Sequence, residues 1–434
     1  MSENGEKKKN VFSVRNYRLT FFGALVSGLG ALLYSFAVSF YILEISSNNA
    51  FLQGLYLFVC GTVQLVFTLL GGVLGDRFNK GRIMAVCDYL KGGLILLTTL
   101  LMLLFKWNQA HIVILFVFGV LGSAVSGVFE PASGALLPHI VEEVQLQQAN
   151  AYFSARGAVQ SIFGVVLAGI LYAAIPVVPL FLIVGLCYIF SGVSEMFIRY
   201  EHRVPEERLT LSVALSDLGE GVRYLRSQKA IMTMMAAILF INFFFAPVSG
   251  NFIPFFVKTD IAQAPSYLFQ RFLTPELWYS LFCVLFGLSS LISSILIGAR
   301  PQREKCGRRT AGWLFAFSVL IIAVAFLYWI LVARGLSLNA FLWVFAVGVF
   351  IIGFVLPFVN IPFSTVLMRV IDRDKLSKVN SILSIFSQGL IPIASAIAGA
   401  VLQYVGSAPL LFICAGGFLA TALFLLLNKQ TAQI

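Results

Sequence analysis

The chain has 434 residues, of which 59% are hydrophobic and only 11% charged, with Lys+Arg 30 against Asp+Glu 19; the mean hydropathy is +0.92. Soluble domains carry about a quarter charged residues, so a water-soluble enzyme or a nucleic-acid-binding module is excluded. At roughly 20 residues per membrane helix, the apolar residues supply about twelve spans.

The polar N-terminus, with Lys7, Lys8, Lys9, Arg15 and Arg18, leads into an apolar run from Leu19 to Ile45. That run is too long for the core of a signal peptide, so it is expected as an uncleaved first span. Further apolar runs place spans at 52–75, 83–105, 111–134, 150–174 and 176–198, after the first at 19–44. Six more follow at 230–257, 277–299, 311–333, 338–366, 380–404 and 409–428. The polar stretch Arg199 to Lys229 has the apolar spacing of a helix lying on the membrane surface. The expected organisation is an N-terminal six-helix bundle with its tail (1–198), a cytoplasmic linker (199–229) and a C-terminal six-helix bundle (230–434). Of the six cysteines, all but Cys306 lie in apolar runs, and no disulfide is expected.

Orientation follows from basic residues, because positive charge is retained on the cytoplasmic side. Lys106, Lys258, Arg271 and Arg334 fall on one side and Lys91 and Arg156 inside spans; every other Lys and Arg falls on the opposite side. Both termini are therefore expected to be cytoplasmic. An internal repeat supports the division into halves. Pro131 through Asn150 to Gly169 is echoed by Pro362 through Asn380 to Gly399, with equal spacing from asparagine to glycine. Parallel pseudo-symmetric halves carry such a signature.

At the end of the second run the chain reads Gly71-Gly-Val-Leu-Gly-Asp-Arg-Phe-Asn-Lys-Gly-Arg-Ile-Met84. This resembles the loop signature of the major facilitator superfamily: a glycine-rich helix end, an Asp-Arg pair and further basic residues. The resemblance implies the twelve-helix fold and a gate built from Gly72, Gly75, Asp76, Arg77, Lys80 and Arg82. It also implies docking of Asp76 near Val379 to Ser381 at the eleventh span. Within that superfamily, Asp88 after Met84, the LLPHIVEEVQLQQAN segment and Ile253 to Lys258 resemble the macrolide-efflux type of drug:proton antiporter. Three positions depart from the pattern. Asn79 stands where glycine is common, Ala31 follows the Ser27-Gly-Leu-Gly30 stretch where relatives carry an acid, and Gly164-Val165 replaces Gly-Pro.

Ionisable residues at membrane depth are costly and mark function. Asp88 and Lys91, three apart on a helix, read either as a structural ion pair or as proton-coupling groups. Glu130, before Pro131 at an expected helix break, reads as a proton carrier or as half of a permanent bridge to Arg156. Glu195, four residues before Arg199, reads as a solvated helix end. The histidines His111, His139 and His202 are placed in loops, against a histidine relay. The seventh span holds Asn242, Pro247, Gly250, Asn251 and Pro254 and is expected to kink. Tyr34, Tyr41, Asn242, Phe243, Phe244 and Asn251 are the candidate substrate-cavity residues.

The resulting expectation is an all-α transporter of the cytoplasmic membrane, monomeric, without cofactor or metal, exporting amphipathic small molecules by alternating access and coupled to protons. Lipid-like substrates such as lysophospholipids are the alternative within the same fold. A membrane-embedded enzyme is the remote one, since no catalytic motif is found.

Overall fold

The computed structural model describes residues 10–142, 145, 148–149, 152–153, 156–157, 159–200, 229–298, 307–370 and 386–428. Among the described residues there is no strand. In lipid a backbone must satisfy its own hydrogen bonds, and long apolar runs do so as helices. The first six are α1 (Arg15–Ile45), α2 (Ala50–Arg77), α3 (Lys80–Leu104), α4 (Asn108–Ile140), α5 (Gln160–Ala174) and α6 (Val177–Met196). The second six are α7 (Lys229–Ala246, continued to Ile261), α8 (Pro275–Gly298), α9 (Gly307–Tyr328, continued to Ala333), α10 (Leu338–Val370), α11 (Phe386–Tyr404) and α12 (Ser407–Leu427). Eleven helices among the described residues are long and apolar enough to cross a membrane, and Gln160–Ala174 is a shorter apolar helix beside them.

Local chemistry sets the breaks. Ser47 and Asn48 adopt positive φ between α1 and α2, and Asn49 Oδ1 accepts from the Leu52 N–H to start α2. Asn79 caps α3, its side chain accepting from the Arg82 N–H at 3.1 Å. A glycine there would lack that acceptor. Gly406 has φ +106 between α11 and α12, a conformation that disfavours any side chain.

Two expectations change. α4 runs unbroken through Pro131 and Pro138 to Ile140, so no helix break follows Glu130; a proline can sit inside a membrane helix because neighbouring groups satisfy the freed carbonyl. His111 and His139 lie in the first and last turns of α4 rather than in loops. The buried His111 ring places Nε2 3.1 Å from the Met102 carbonyl and so fastens the α3–α4 turn.

The chain forms two compact units. The first holds residues to Val38 and from Val63 through α6; the second holds Ser39–Thr62 with the last six helices. In the first, α3 lies along α4 and α6, and Tyr17, Met84, Leu136 and Ile198 belong to a buried core near the α2–α3 loop. In the second, α8 lies along α10, and α9 along α10 and α12, around a core that includes Phe317, Val359 and Phe418. The linker after Tyr200 lies outside the described residues, as does His202.

α7 carries the expected irregularity in a specific form. Its α-helical turns widen into π turns at Pro247–Phe252 and again at Val257–Ile261. Proline lacks the N–H an α turn requires, and a wide turn accommodates the loss without unwinding the helix.

Candidate functional site

The predicted gate lies where α2 meets α3. Gly71 brings α2 against α4: a Cβ there would lie 2.7 Å from Val128 Cα, and Gly127 makes the reciprocal approach to Gln64. Small residues permit such backbone contact in membranes. Gly72, Gly75, Asp76 and Arg77 fall in the last turns of α2; their side chains, and Val379 to Ser381, lie outside the described residues. Lys80 is buried, and its backbone N–H donates to Tyr200 Oη at 2.7 Å. Tyr200 also stacks on His139, so it joins the starts and ends of three helices.

A buried polar cluster occupies the first unit, drawn from α1, α3, α6 and the stretch before α5. Asp88 is 2% exposed and Glu195 1% exposed. Glu195 is therefore not the solvated end suggested by its distance from Arg199. Its side chain lies over Gly23, where a Cβ would meet Glu195 Cγ and Ser191 Oγ each at 3.3 Å. The charges of Asp88 and Arg156 both act on Glu195, yet neither of its oxygens accepts a hydrogen bond.

The other intramembrane charges are arranged differently from the sequence expectation. Lys91 does not bridge to Asp88; its Nζ donates to Ser126 Oγ on α4 at 2.6 Å and lies 4.9 Å from the Tyr188 ring centre. Glu130 is exposed and accepts from Gln64 Nε2 at 3.4 Å. No ion pair joins it to Arg156 among the described residues. The Arg156 guanidinium instead covers the Phe153 ring at 4.4 Å, with Nε and Nη1 unbonded. Sequence reasoning also missed Gln160, whose Nε2 donates to the Ala24 and Leu25 carbonyls of α1. Gly28 leaves the space that this amide fills.

In the second unit Lys258 pairs with Glu44 Oε2 at 3.2 Å and Glu276 Oε1 at 3.1 Å. The neighbouring Asp260 accepts from Thr259 Oγ1 at 2.9 Å. α7 is tied to α11 by polar contacts: Asn242 Nδ2 donates to the Ser387 carbonyl at 3.1 Å and Asn251 Nδ2 to the Ser395 carbonyl at 3.2 Å.

The candidate cavity residues are drawn from both units. Tyr34, in the first unit, packs its ring 5.3 Å from Phe181. Tyr41, Asn242, Phe243, Phe244 and Asn251 lie in the second. Phe244 is packed against the second core beside Gly417 and Phe418, and Asn251 is fully buried.

A family profile for the Major Facilitator Superfamily matches residues 20–298. The chain belongs to the Major Facilitator Superfamily. It is similar to two proteins of Bacillus subtilis (strain 168), each described as an uncharacterized MFS-type transporter. YkuC is 22% identical over 381 residues, covering 86% of this chain and 82% of that one. YvqJ is 25% identical over 292 residues, covering 66% and 63%. The fold is similar to a bacterial homologue of the iron transporter ferroportin in the inward-facing state, with TM-score 0.71, 16% identity, and 96% of this chain and 99% of that one covered. It is also similar to the nucleoside transporter NupG, with TM-score 0.71, 11% identity, and 94% and 98% covered. The protein is thus a multi-pass membrane transporter of the secondary type, moving a small molecule. Its fold and relatives are those of transporters rather than enzymes.

Proposed function

We propose that this member of the superfamily exports amphipathic small molecules of the macrolide or drug class from a cytoplasmic membrane, driven by proton influx. Both termini then face the cytoplasm, the working unit is a monomer, and the two halves alternate access to a substrate path. In this reading Gly72, Gly75, Asp76, Arg77, Lys80 and Arg82 form the cytoplasmic latch. Tyr34, Tyr41, Asn242 and Phe243 supply aromatic and polar contacts to the substrate, with Phe244 and Asn251 supporting them from behind.

The observation that carries the proposal is the cluster of charges in the first unit, two of them buried and two half-buried. Asp88, Lys91, Arg156 and Glu195 lie within α-helical membrane segments or beside one, and none is locked to another in an ion pair. Charges held apart in a low-dielectric setting carry an energetic cost that a purely structural role has no need to retain. Groups that gain and lose a proton during a cycle do need that freedom.

The test uses cells deficient in their own drug pumps and expressing this chain. The expected result is lowered ethidium accumulation and raised macrolide tolerance, both abolished by a protonophore and by Asp76→Asn. Efflux indifferent to the protonophore removes proton coupling. Stabilisation of the purified protein by lysophosphatidylethanolamine, with no effect of any drug, replaces the drug reading with the lipid one.

A further inference from the structure

Glu195 sits on α6 in a setting built from three other segments. α1 presents Gly23 against its methylenes and Tyr17 nearby; α3 presents Cys87, Asp88 and Lys91; the stretch before α5 presents Arg156; and α6 itself adds Ser191 and Tyr188. The glutamate and Asp88 are almost completely buried. Both Glu195 oxygens, Asp88 Oδ2 and the Arg156 Nε and Nη1 lack hydrogen-bond partners.

Such a set is incomplete as a static structure. A carboxylate anion in the interior is tolerated when paired or hydrogen-bonded, and Glu195 is neither. Its two potential cations are held elsewhere, Lys91 by Ser126 and the Tyr188 ring, Arg156 by the Phe153 ring. Two like-charged carboxylates acting on each other add to the cost of full ionisation. A proton on a Glu195 oxygen removes the uncompensated charge, and movement of Arg156 toward Glu195 would expel it.

We propose that Glu195, rather than Glu130, takes up and releases the coupling proton, with Asp88 and Arg156 as the charges that decide when it does so. This rests on the proton-coupled reading above. The step is a simple transfer: a proton from water forms an O–H bond at Glu195, leaving a neutral acid, and returns to water on the other side of the cycle. Glu130, by contrast, is exposed and accepts from Gln64 Nε2.

The test is infrared difference spectroscopy of the full-length protein in liposomes, stepped between neutral and acidic pH, which detects the carbonyl stretch of a protonated buried acid without any substrate. The wild type is expected to show that band, Glu195→Gln to lose it, and Glu130→Gln to keep it. Glu195→Asp retains a carboxyl group and is expected to shift the band, so the assignment stays testable if the amide is not tolerated in folding. A band absent from the wild type, unchanged in Glu195→Gln, or lost in Glu130→Gln overturns the proposal. The broader reading fails on a different result: wild-type ethidium transport in the same liposomes that ignores an imposed pH gradient.

Discussion

Gly54 on α2 and Gly399 on α11 cross with their backbones in contact: a Cβ added to Gly54 would meet the Ser395 carbonyl at 2.6 Å and Gly399 Cα at 2.8 Å. The contact is extended by the Ala50 N–H donating to Gln403 Oε1 at 2.9 Å and by Gln53 Nε2 donating to the Gly250 carbonyl at 3.4 Å. Because the opposing atoms are backbone, neither partner can rotate away. Gly54→Leu is expected to destabilise the second unit by about 1–3 kcal/mol, read as a lower unfolding temperature in detergent. Gly93→Leu, at a position with open space around it, is the control and should change little.

Lys258 holds two acids of unequal exposure. Its own side chain is 13% exposed and that of Glu276 14%, against 54% for Glu44. Lys258→Met leaves the half-buried Glu276 carboxylate without its cation and should cost about 3 kcal/mol. Glu44→Gln breaks only the exposed arm and should cost less than about 1 kcal/mol. Denaturation of the three proteins checks the order.

Phe244 stands among the candidate cavity residues, and its ring fills space left by Gly417. Phe244→Ala should therefore lower stability by about 3 kcal/mol, whereas Phe243→Ala should act mainly on transport. Equal stability losses in thermal unfolding would show that the two rings are not divided in this way.

The burial of Tyr200, which accepts from the Lys80 N–H, makes a pH-dependent contribution. Burial pushes the Tyr200 phenol above its usual value. The unfolded chain releases that proton at about pH 10 while the folded chain holds it, so this contribution is intact below that pH and falls as pH rises beyond it. Tyr200→Phe should cost about 1 kcal/mol at neutral pH and flatten the alkaline fall in stability measured by unfolding across pH.

The helices were legible in the sequence because each is a property of its own segment: apolar length fixes a span. The site was less so. Asp88 and Lys91 have the spacing of a helical pair, but Ser126, distant in sequence, takes the ammonium. Glu195 and Arg199 share a local stretch that suggests a pair; the side chain instead lies over Gly23 of α1 and within reach of the Asp88 charge on α3. The Asn16 side chain instead accepts from the Arg199 N–H where the helix has already ended. His111 is likewise held by a group outside its own helix, the Met102 carbonyl of the preceding one. Contacts that decide burial cross between helices, and single-chain spacing does not encode them.

The two wide turns of α7 give that helix a mechanical property that a rod of uniform α turns lacks. Each accommodates one residue more than an α turn would, and one residue corresponds to roughly 100° of rotation about the axis. Passing that surplus along the rod, from Pro247–Phe252 toward Val257–Ile261, turns the intervening side chains to new faces while both ends stay anchored. Asn251 and Phe252 are among the residues such a twist would redirect.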